Sequence, residues 1–190
     1  AAALDYTDTL LVFAALSYER RDGAPGSVIF ARSEDTQGTG FPGPALFGNI
    51  TYVREFGTLA LVPSPGIGLQ LRLGERPASK TPTPTDSIAA ATLDYRSGPL
   101  IVVARLVPIA GTADQTMELR INGKSEARTI ITGGFTSTGE RQTLRIGHTT
   151  QATNAFFGYL GELMIFGTDR SDYLDIETAM LAKWGVPPAR

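Results

Sequence analysis

The chain of 190 residues fits one domain, and its apolar content of 42% is enough to build a sizeable core. Its formal net charge of -2 excludes the strong basic field that a nucleic-acid-binding protein needs. The lack of cysteine excludes disulfides and thiolate metal sites, and no apolar run approaches the ~20 residues that insert across a bilayer.

The first predicted element follows residues that do not resemble a signal peptide. Residues 1–21 have an apolar centre, but acidic side chains precede it where a signal peptide carries basic ones. We interpret this stretch as a mature terminus that leads into a strand at Thr9–Glu19. Because that strand is apolar at nearly every position, we expect it to be buried on both faces.

Short apolar or alternating runs follow, separated by Gly, Pro, Asn and Thr. They predict strands at residues 26–33, 50–56, 59–63 and 67–74. In the last of these, Ile and Leu alternate with small or polar residues, which places one face on the core. The glycine-rich residues 34–49 predict a long loop.

Residues 77–87 contain three prolines and cannot form a central strand, because each proline removes a backbone donor. This stretch predicts a loop or sheet edge, and it is the best candidate for an interdomain linker. The runs on either side of it are alike, so we predict a single domain over residues 1–190.

The most apolar run, residues 99–108, predicts a central strand. Asn122-Gly123 then stands between two alternating segments, which is a strong signal for a hairpin with a two-residue type I′ turn. Residues 142–148 and 156–167 predict two further strands.

Only the last segment has helical spacing. Its apolar residues fall on one face of a helix: Tyr173, Ile176, Met180, Leu181 and Trp184. With a set of about ten or more strands, this helix predicts an all-β protein: a two-sheet antiparallel β-sandwich with a short C-terminal α-helix.

The ends of this helix carry their own signals. Ser171 is the predicted N-cap, with Asp172 and Asp175 near the positive end of the helix dipole. Gly185 suits the position after the last turn, and Pro187-Pro188 forbids continuation.

Three motifs occur together in the C-terminal part. They are the Asn122-Gly123 hairpin with the "LRIG" strand at residues 144–147, the segment Phe157–Glu162, which contains Gly158, Leu160 and Gly161, and the helix ending "KWG". In this order they resemble the concanavalin A-like lectin/glucanase domains of the laminin-G-like type. One departure is Leu174, which stands where the family's helix often has a capping glutamate.

The resemblance implies a jelly roll with one convex and one concave sheet. Members of the family bind glycans or proteins, often through rim loops and sometimes with calcium. Others are hydrolases, and many are non-catalytic modules on secreted proteins or phage virion appendages. The fold alone does not choose among these functions.

Carboxylates give no pattern typical of a glycosidase. A retaining enzyme needs two carboxyls ~5–5.5 Å apart, which acids two or four residues apart on one strand provide. No predicted strand carries such a pair, since Glu118 has Arg120 two residues on and Glu162 stands alone. Asp175 and Glu177 are two apart on a helix and point to nearly opposite sides. We therefore predict that the protein is not an enzyme and that it has no catalytic residues.

Metal chemistry is similarly restricted. The single histidine, His148, has no His or Cys partner for zinc. A calcium site is still compatible with the sequence, because calcium needs only oxygen ligands. The candidate ligands in or near predicted loops are Asp5, Asp8, Asp22 and Asp114. We predict no obligatory cofactor.

The candidate ligand-binding residues lie in a polar loop between two core strands, because binding in such folds concentrates in loops. They are His148, Thr149, Gln151 and Asn154. Surface tyrosines, among them Tyr159, are expected to be half-buried with the hydroxyl at the rim. Trp184 is expected to be a structural anchor that pins the helix to the sheets rather than a sugar-stacking residue.

These observations predict a non-catalytic recognition or attachment module of lectin-like fold, which binds a glycan or cell-surface polymer. Protein neighbours in a larger assembly are expected, at a virion surface or in an extracellular setting, without nucleic-acid binding or membrane insertion. The first alternative is a purely structural virion subunit, such as a head decoration or tail-appendage protein. The second alternative is a polysaccharide hydrolase.

Overall fold

The computed structural model describes residues 9–18, 27–34, 55–64, 66–74, 87–92, 99–133, 142–146 and 158–189. These residues form ten strands and one helix: β1 (Leu10–Tyr18), β2 (Ser27–Glu34), β3 (Glu55–Ser64), β4 (Gly66–Gly74), β5 (Ser87–Thr92), β6 (Leu100–Pro108), β7 (Gln115–Ile121), β8 (Lys124–Ile131), β9 (Gln142–Ile146), β10 (Gly158–Phe166) and α1 (Tyr173–Trp184).

The strands form two five-stranded sheets in which every pairing is antiparallel. The first sheet has the order β10-β1-β6-β7-β8 and the second the order β5-β4-β3-β2-β9. Strand β5 approaches β7 and β8 to within 8 Å between Cα atoms. The predicted central strand, β6, is confirmed in the middle of the first sheet.

Both faces of the first sheet are buried at its centre. In β1 every residue from Leu10 to Leu16 is buried, which confirms the expectation from its apolar run. The odd-numbered residues of β1 and the neighbouring residues of β6 pack against α1 in one cluster: Leu11, Phe13, Ala15, Ile101, Val103, Met180, Leu181 and Val186. Phe13 meets Phe166 edge to face with ring centroids 6.0 Å apart, a geometry worth ~0.5–1.5 kcal/mol beyond area burial.

The second sheet differs in part from the prediction. One strand, β3, spans the strand predicted at residues 59–63 and the end of the one predicted at 50–56, because Thr58 pairs with Arg72 of β4 after a register shift; residues 50–54 lie outside the described residues. Strand β5 was not predicted, since its "SIAAAT" sequence is rich in alanine, which has low strand propensity. Of the loops predicted at residues 34–49 and 77–87, Glu34 belongs to β2 and Ser87 to β5, and the other residues lie outside the described ones.

The C-terminal helix is confirmed, and its C-terminus ends as predicted. Gly185 adopts the left-handed conformation with φ 63°, and the Val186 N–H donates to the Leu181 carbonyl at 2.9 Å. This pattern is the Schellman motif, in which the buried Val186 contacts the last turn. Within the described ranges, no helix is long and apolar enough to cross a membrane.

The prediction of Ser171 as the N-cap is wrong. Asp172 holds the N-cap position and makes no side-chain capping bond. Its carboxylate instead accepts two hydrogen bonds from Arg170, at 2.8 and 2.7 Å. Because Arg170 occupies the Asp172 carboxylate, this carboxylate does not accept a capping hydrogen bond from the helix.

The hairpin between β7 and β8 has the predicted two-residue turn. Asn122 has φ 50° and Gly123 has φ 86°, as a type I′ turn requires. The Asn122 Oδ1 accepts the Ile101 N–H at 2.8 Å, and its carbonyl accepts the Ala189 N–H at 2.7 Å. The turn is thus bonded to β6 and to the segment that follows α1.

Candidate functional site

The predicted binding loop lies in the sequence between β9 and β10. His148, Thr149, Gln151 and Asn154 lie outside the described residues, which resume at Gly158 after β9 ends at Ile146. Strand β9 is at the edge of the second sheet and β10 at the edge of the first. Residues 147–157 therefore lie in the sequence between two edge strands.

Both strands that flank this segment present large exposed side chains. Ile146 is 47% exposed, and Tyr159 is 69% exposed. Tyr159 is thus not half-buried as expected from the sequence. Exposed aromatic side chains with a polar tip are frequent at recognition surfaces, since they supply contact area at low cost in conformational entropy.

Trp184 lies at the end of α1 over the backbone of Gly161 in β10. A Cβ on Gly161 would lie 2.8 Å from Cζ3 and 2.9 Å from Cζ2 of the ring, so only glycine permits this approach. The indole Nε1–H donates to Glu162 Oε2 at 3.0 Å. Trp184 nevertheless remains 38% exposed, more than a residue that serves only as a core anchor.

The register of β10 places Tyr159 and Glu162 on the same face as this ring. Glu162 pairs with Ala15 and Tyr159 with Ser17, and the extra residue of a bulge falls at Gly161. Ala15 and Ser17 are two apart on β1, so their partners project to one side of the sheet. Ala15 belongs to the cluster beneath α1, which identifies that side as the helix side.

Charge at this place is centred on Glu162. The Lys183 Nζ donates to Glu162 Oε2 at 2.9 Å and lies 5.8 Å from the centroid of the Trp184 ring. The hydrogen bonds from Lys183 and Trp184 hold the pKa of the Glu162 carboxyl below its ordinary value. We call the group Tyr159, Gly161, Glu162, Lys183 and Trp184 the β10–α1 platform.

A second charged cluster is buried beneath the middle of α1. Glu177, 2% exposed, accepts the Arg120 Nε–H at 2.9 Å and the Gly123 N–H at 3.0 Å. Arg120 also donates to the Gly123 carbonyl at 2.7 Å and lies 3.4 Å from Glu118. The backbone and the arginine occupy both oxygens of Glu177, so this carboxylate has a structural role.

The partner of Glu177 was not predicted from the sequence. Asp175 is exposed and Glu177 buried, as expected for residues on opposite sides of a helix. The signal for burial was present, because Glu177 is four residues after Tyr173 and four before Leu181 and so falls within the apolar stripe. A buried carboxylate needs a cation, and Arg120 in the largely buried strand β7 supplies it.

Arg105 is a further charged residue on the helix side of the first sheet. It donates two hydrogen bonds to Asp169, at 3.0 and 2.7 Å, and its guanidinium lies 4.6 Å from the centroid of the Tyr173 ring. The bonds to Asp169 raise the pKa of Arg105. The Arg105–Asp169 ion pair connects the segment just before α1 to β6.

In the part of the chain that the structure describes, no three His, Cys, Asp or Glu side chains form a group suited to a metal ion. Of the aspartates considered for calcium, Asp114 is described, and its Oδ1 accepts the Gly133 N–H at 2.9 Å. Asp5, Asp8 and Asp22 lie outside the described residues.

Comparison with known proteins gives a likeness of fold. No protein-family model matches the chain, and no curated protein is significantly similar to it. Among solved structures, the chain is similar to the binding domain of botulinum neurotoxin DC, determined in complex with rat synaptotagmin II. The TM-score is 0.52 at 12% sequence identity, over 95% of this chain and 37% of that chain. The chain thus spans little more than a third of that structure.

Proposed function

We propose that the protein is a non-catalytic recognition module that binds a glycan or cell-surface polymer. The observation that carries this proposal is the pair of exposed side chains, Ile146 and Tyr159, at the two ends of the polar segment 147–157. Apolar contact area beside hydrogen-bonding groups such as His148, Gln151 and Asn154 is the combination that a saccharide needs. The likeness to a toxin's binding domain supports an attachment role.

We also propose that the two sheets pack face to face as a sandwich of the concanavalin A-like, laminin-G-like type. The even-numbered residues of β1, which face away from α1, are buried as completely as the odd-numbered ones. A second layer must cover them, and the approach of β5 to β7 and β8 makes the second sheet the natural candidate.

The non-catalytic part of the proposal rests on the engaged carboxylates. Glu118, Glu162 and Glu177 each contact at least one cation within 4.0 Å. A general acid must be protonated near its working pH, whereas the hydrogen bonds from Lys183 and Trp184 lower the pKa of Glu162. Assays for release of reducing sugar from the bound polysaccharide should therefore show no product.

The experiment that tests recognition is a polysaccharide array followed by calorimetry with the strongest hit. We expect binding that His148→Ala and Asn154→Ala weaken at least tenfold. Ser125→Ala is the matched control, because Ser125 is an exposed polar residue on β8 at the opposite edge of the first sheet. If no polysaccharide gives signal or heat, the proposal is wrong.

A second candidate function is attachment to a protein within a larger assembly, such as a virion surface. It is favoured by the toxin domain, which was determined in complex with a protein. Light scattering and copurification with particles test it. A protein that is strictly monomeric and never copurifies with particles would exclude this candidate without affecting glycan recognition.

A further inference from the structure

We infer that the β10–α1 platform is a saccharide-binding subsite, with the Trp184 ring as its floor and Glu162 and Lys183 as its hydrogen-bonding groups. This inference rests on the proposed glycan recognition and assigns it a place outside the loop. The ligand class is a neutral or acetamido pyranose unit of a polysaccharide. Its apolar C–H face would stack on the indole while its hydroxyls meet the charged groups.

The ring is held in place before any ligand arrives. Gly161 supports it from one side at a distance that excludes any Cβ, and Glu162 fixes its Nε1–H. An aromatic surface fixed in this way loses little conformational entropy on binding. At the same time, 38% of the residue stays accessible, so the immobilised ring still offers a surface to solvent.

The polar groups beside the ring can form further hydrogen bonds. Glu162 accepts both bonds, from Lys183 and Trp184, through Oε2, and Oε1 accepts none from the described residues. The Lys183 side chain is 61% exposed and has three N–H donors, of which one is directed to Glu162. An ionised acceptor and a charged donor thus lie together at the edge of an aromatic ring, which matches a pair of adjacent sugar hydroxyls.

Tyr159 extends the surface toward the predicted loop. It lies two residues before Gly161 on the helix side of β10, which corresponds to roughly 7 Å along a strand. It is the second residue after segment 147–157 and the most exposed large apolar side chain in the described residues. The platform therefore extends along the edge strand β10, with room for more than one sugar unit.

The single tryptophan makes the inference directly measurable, because all indole emission comes from Trp184. The probes are hexasaccharides of β-1,3-linked glucose, β-1,4-linked glucose and β-1,4-linked N-acetylglucosamine, with the strongest array hit. We expect saturable change in emission and protection from acrylamide quenching, at the Kd found by calorimetry. Tyr159→Ala and Lys183→Ala should each weaken that Kd about fivefold to tenfold.

Leu174→Ala is the matched control. Leu174 is an exposed apolar residue on the same helix, ten residues and roughly 15 Å from Trp184, so binding should not change. Trp184→Phe keeps an aromatic floor without the Nε1–H and should retain part of the affinity. Thermal unfolding by circular dichroism establishes that each variant is folded.

The outcomes separate this inference from the function on which it rests. Binding heat with unchanged Trp184 emission, and with wild-type affinity in Tyr159→Ala and Lys183→Ala, would overturn the subsite and leave glycan recognition intact. Failure of every probe and of the whole array would overturn both. Emission changes that track calorimetry and are weakened by both variants would establish the subsite.

Discussion

The buried Glu177 of α1 bonds to Arg120 of β7 across 57 residues of sequence, with 2.9 Å between Oε2 and Nε. Its other oxygen accepts the backbone N–H of Gly123 in the adjoining turn. One carboxylate thereby joins the helix to both the strand and the hairpin turn. The helix position on the first sheet depends on this contact as well as on the apolar cluster.

Replacement of Glu177 should destabilise the protein strongly. Glu177→Ala leaves Arg120, whose side chain is 13% exposed, without its main partner, and removing one partner of a buried ion pair costs about 3–5 kcal/mol. The control is Asp175→Ala, on the exposed side of the same turn, where loss of a helix-dipole contact costs about 0.3–1 kcal/mol. The measurement is the free energy of unfolding in urea.

A companion variant tests whether the charge itself matters. Arg120→Met combined with Glu177→Leu replaces the pair with apolar side chains, and such exchanges are often neutral or stabilising. We expect the combined variant to be more stable than Glu177→Ala. Equal stability of Glu177→Ala and Asp175→Ala would contradict a structural role for the pair.

The Asn122 side chain should matter as a hydrogen-bond acceptor. Its Oδ1 holds the Ile101 N–H, and Ile101 is fully buried. Asn122→Gly keeps the positive φ but leaves this donor unpaired, which costs about 1–3 kcal/mol. Asn122→Asp retains the acceptor and should stay within about 1 kcal/mol of wild type. Urea unfolding that ranks Asn122→Asp below Asn122→Gly would show that the turn conformation, not the acceptor, dominates.

Gly161 and Trp184 should behave as a coupled pair. Gly161→Ala drives a methyl group into the ring, and we expect a loss of about 1–3 kcal/mol with a red shift of Trp184 emission. Trp184→Ala should cost about 2 kcal/mol, below the 3–5 kcal/mol typical of a buried tryptophan, because the ring is partly exposed.

The double variant Gly161→Ala/Trp184→Ala completes this thermodynamic cycle. Without the ring, the added methyl group has no clash, so its penalty should disappear. Additive losses in the two single variants would mean that Gly161 is needed for its backbone or bulge and not for the approach of the indole.

Acid should release Trp184 before it unfolds the protein. The pKa of Glu162 is lowered by its bonds to Lys183 and Trp184, so its folded-state pKa lies below the ordinary 4.5. Its contribution to stability is complete above pH 4.5 and is lost as the pH falls through the lower, folded-state pKa. We expect Trp184 emission to change with a midpoint below pH 4.5 while far-UV circular dichroism stays constant. The same transition in Glu162→Gln would assign it to another group.

Local sequence signals predicted the elements that depend on local rules. The Asn122-Gly123 turn, the left-handed Gly185 and the central β6 follow from turn chemistry, capping and hydrophobicity, and the structure confirms all three. Two other features were not predicted. The N-cap is Asp172 and not Ser171, and a local ion pair with Arg170 takes the place of a capping bond. The burial of Glu177 depends on a distant partner, an arginine in another strand.

The β10–α1 platform could not be predicted from the sequence, again because its partners are distant along the chain. The sequence shows no second carboxylate near Glu162 and indicates a structural anchor at Trp184, and nothing local predicts that the end of α1 meets the bulge in β10. A glycine that admits an indole looks like any other glycine in the sequence. The predicted loop residues His148, Thr149, Gln151 and Asn154 remain predictions.

The pairing of β1 with β10 has a consequence for how the chain folds. Leu11 pairs with Phe166, and the cluster that covers Phe13 includes Val186, so the first sheet joins segments about 150 residues apart. Such high contact order slows folding, because a large loop must close before its contacts form. During synthesis the apolar β1 is made before β10 and α1, so it stays uncovered until they emerge from the ribosome. The nascent chain thus carries an open, aggregation-prone strand, and its folding should respond to chaperones and to translation speed.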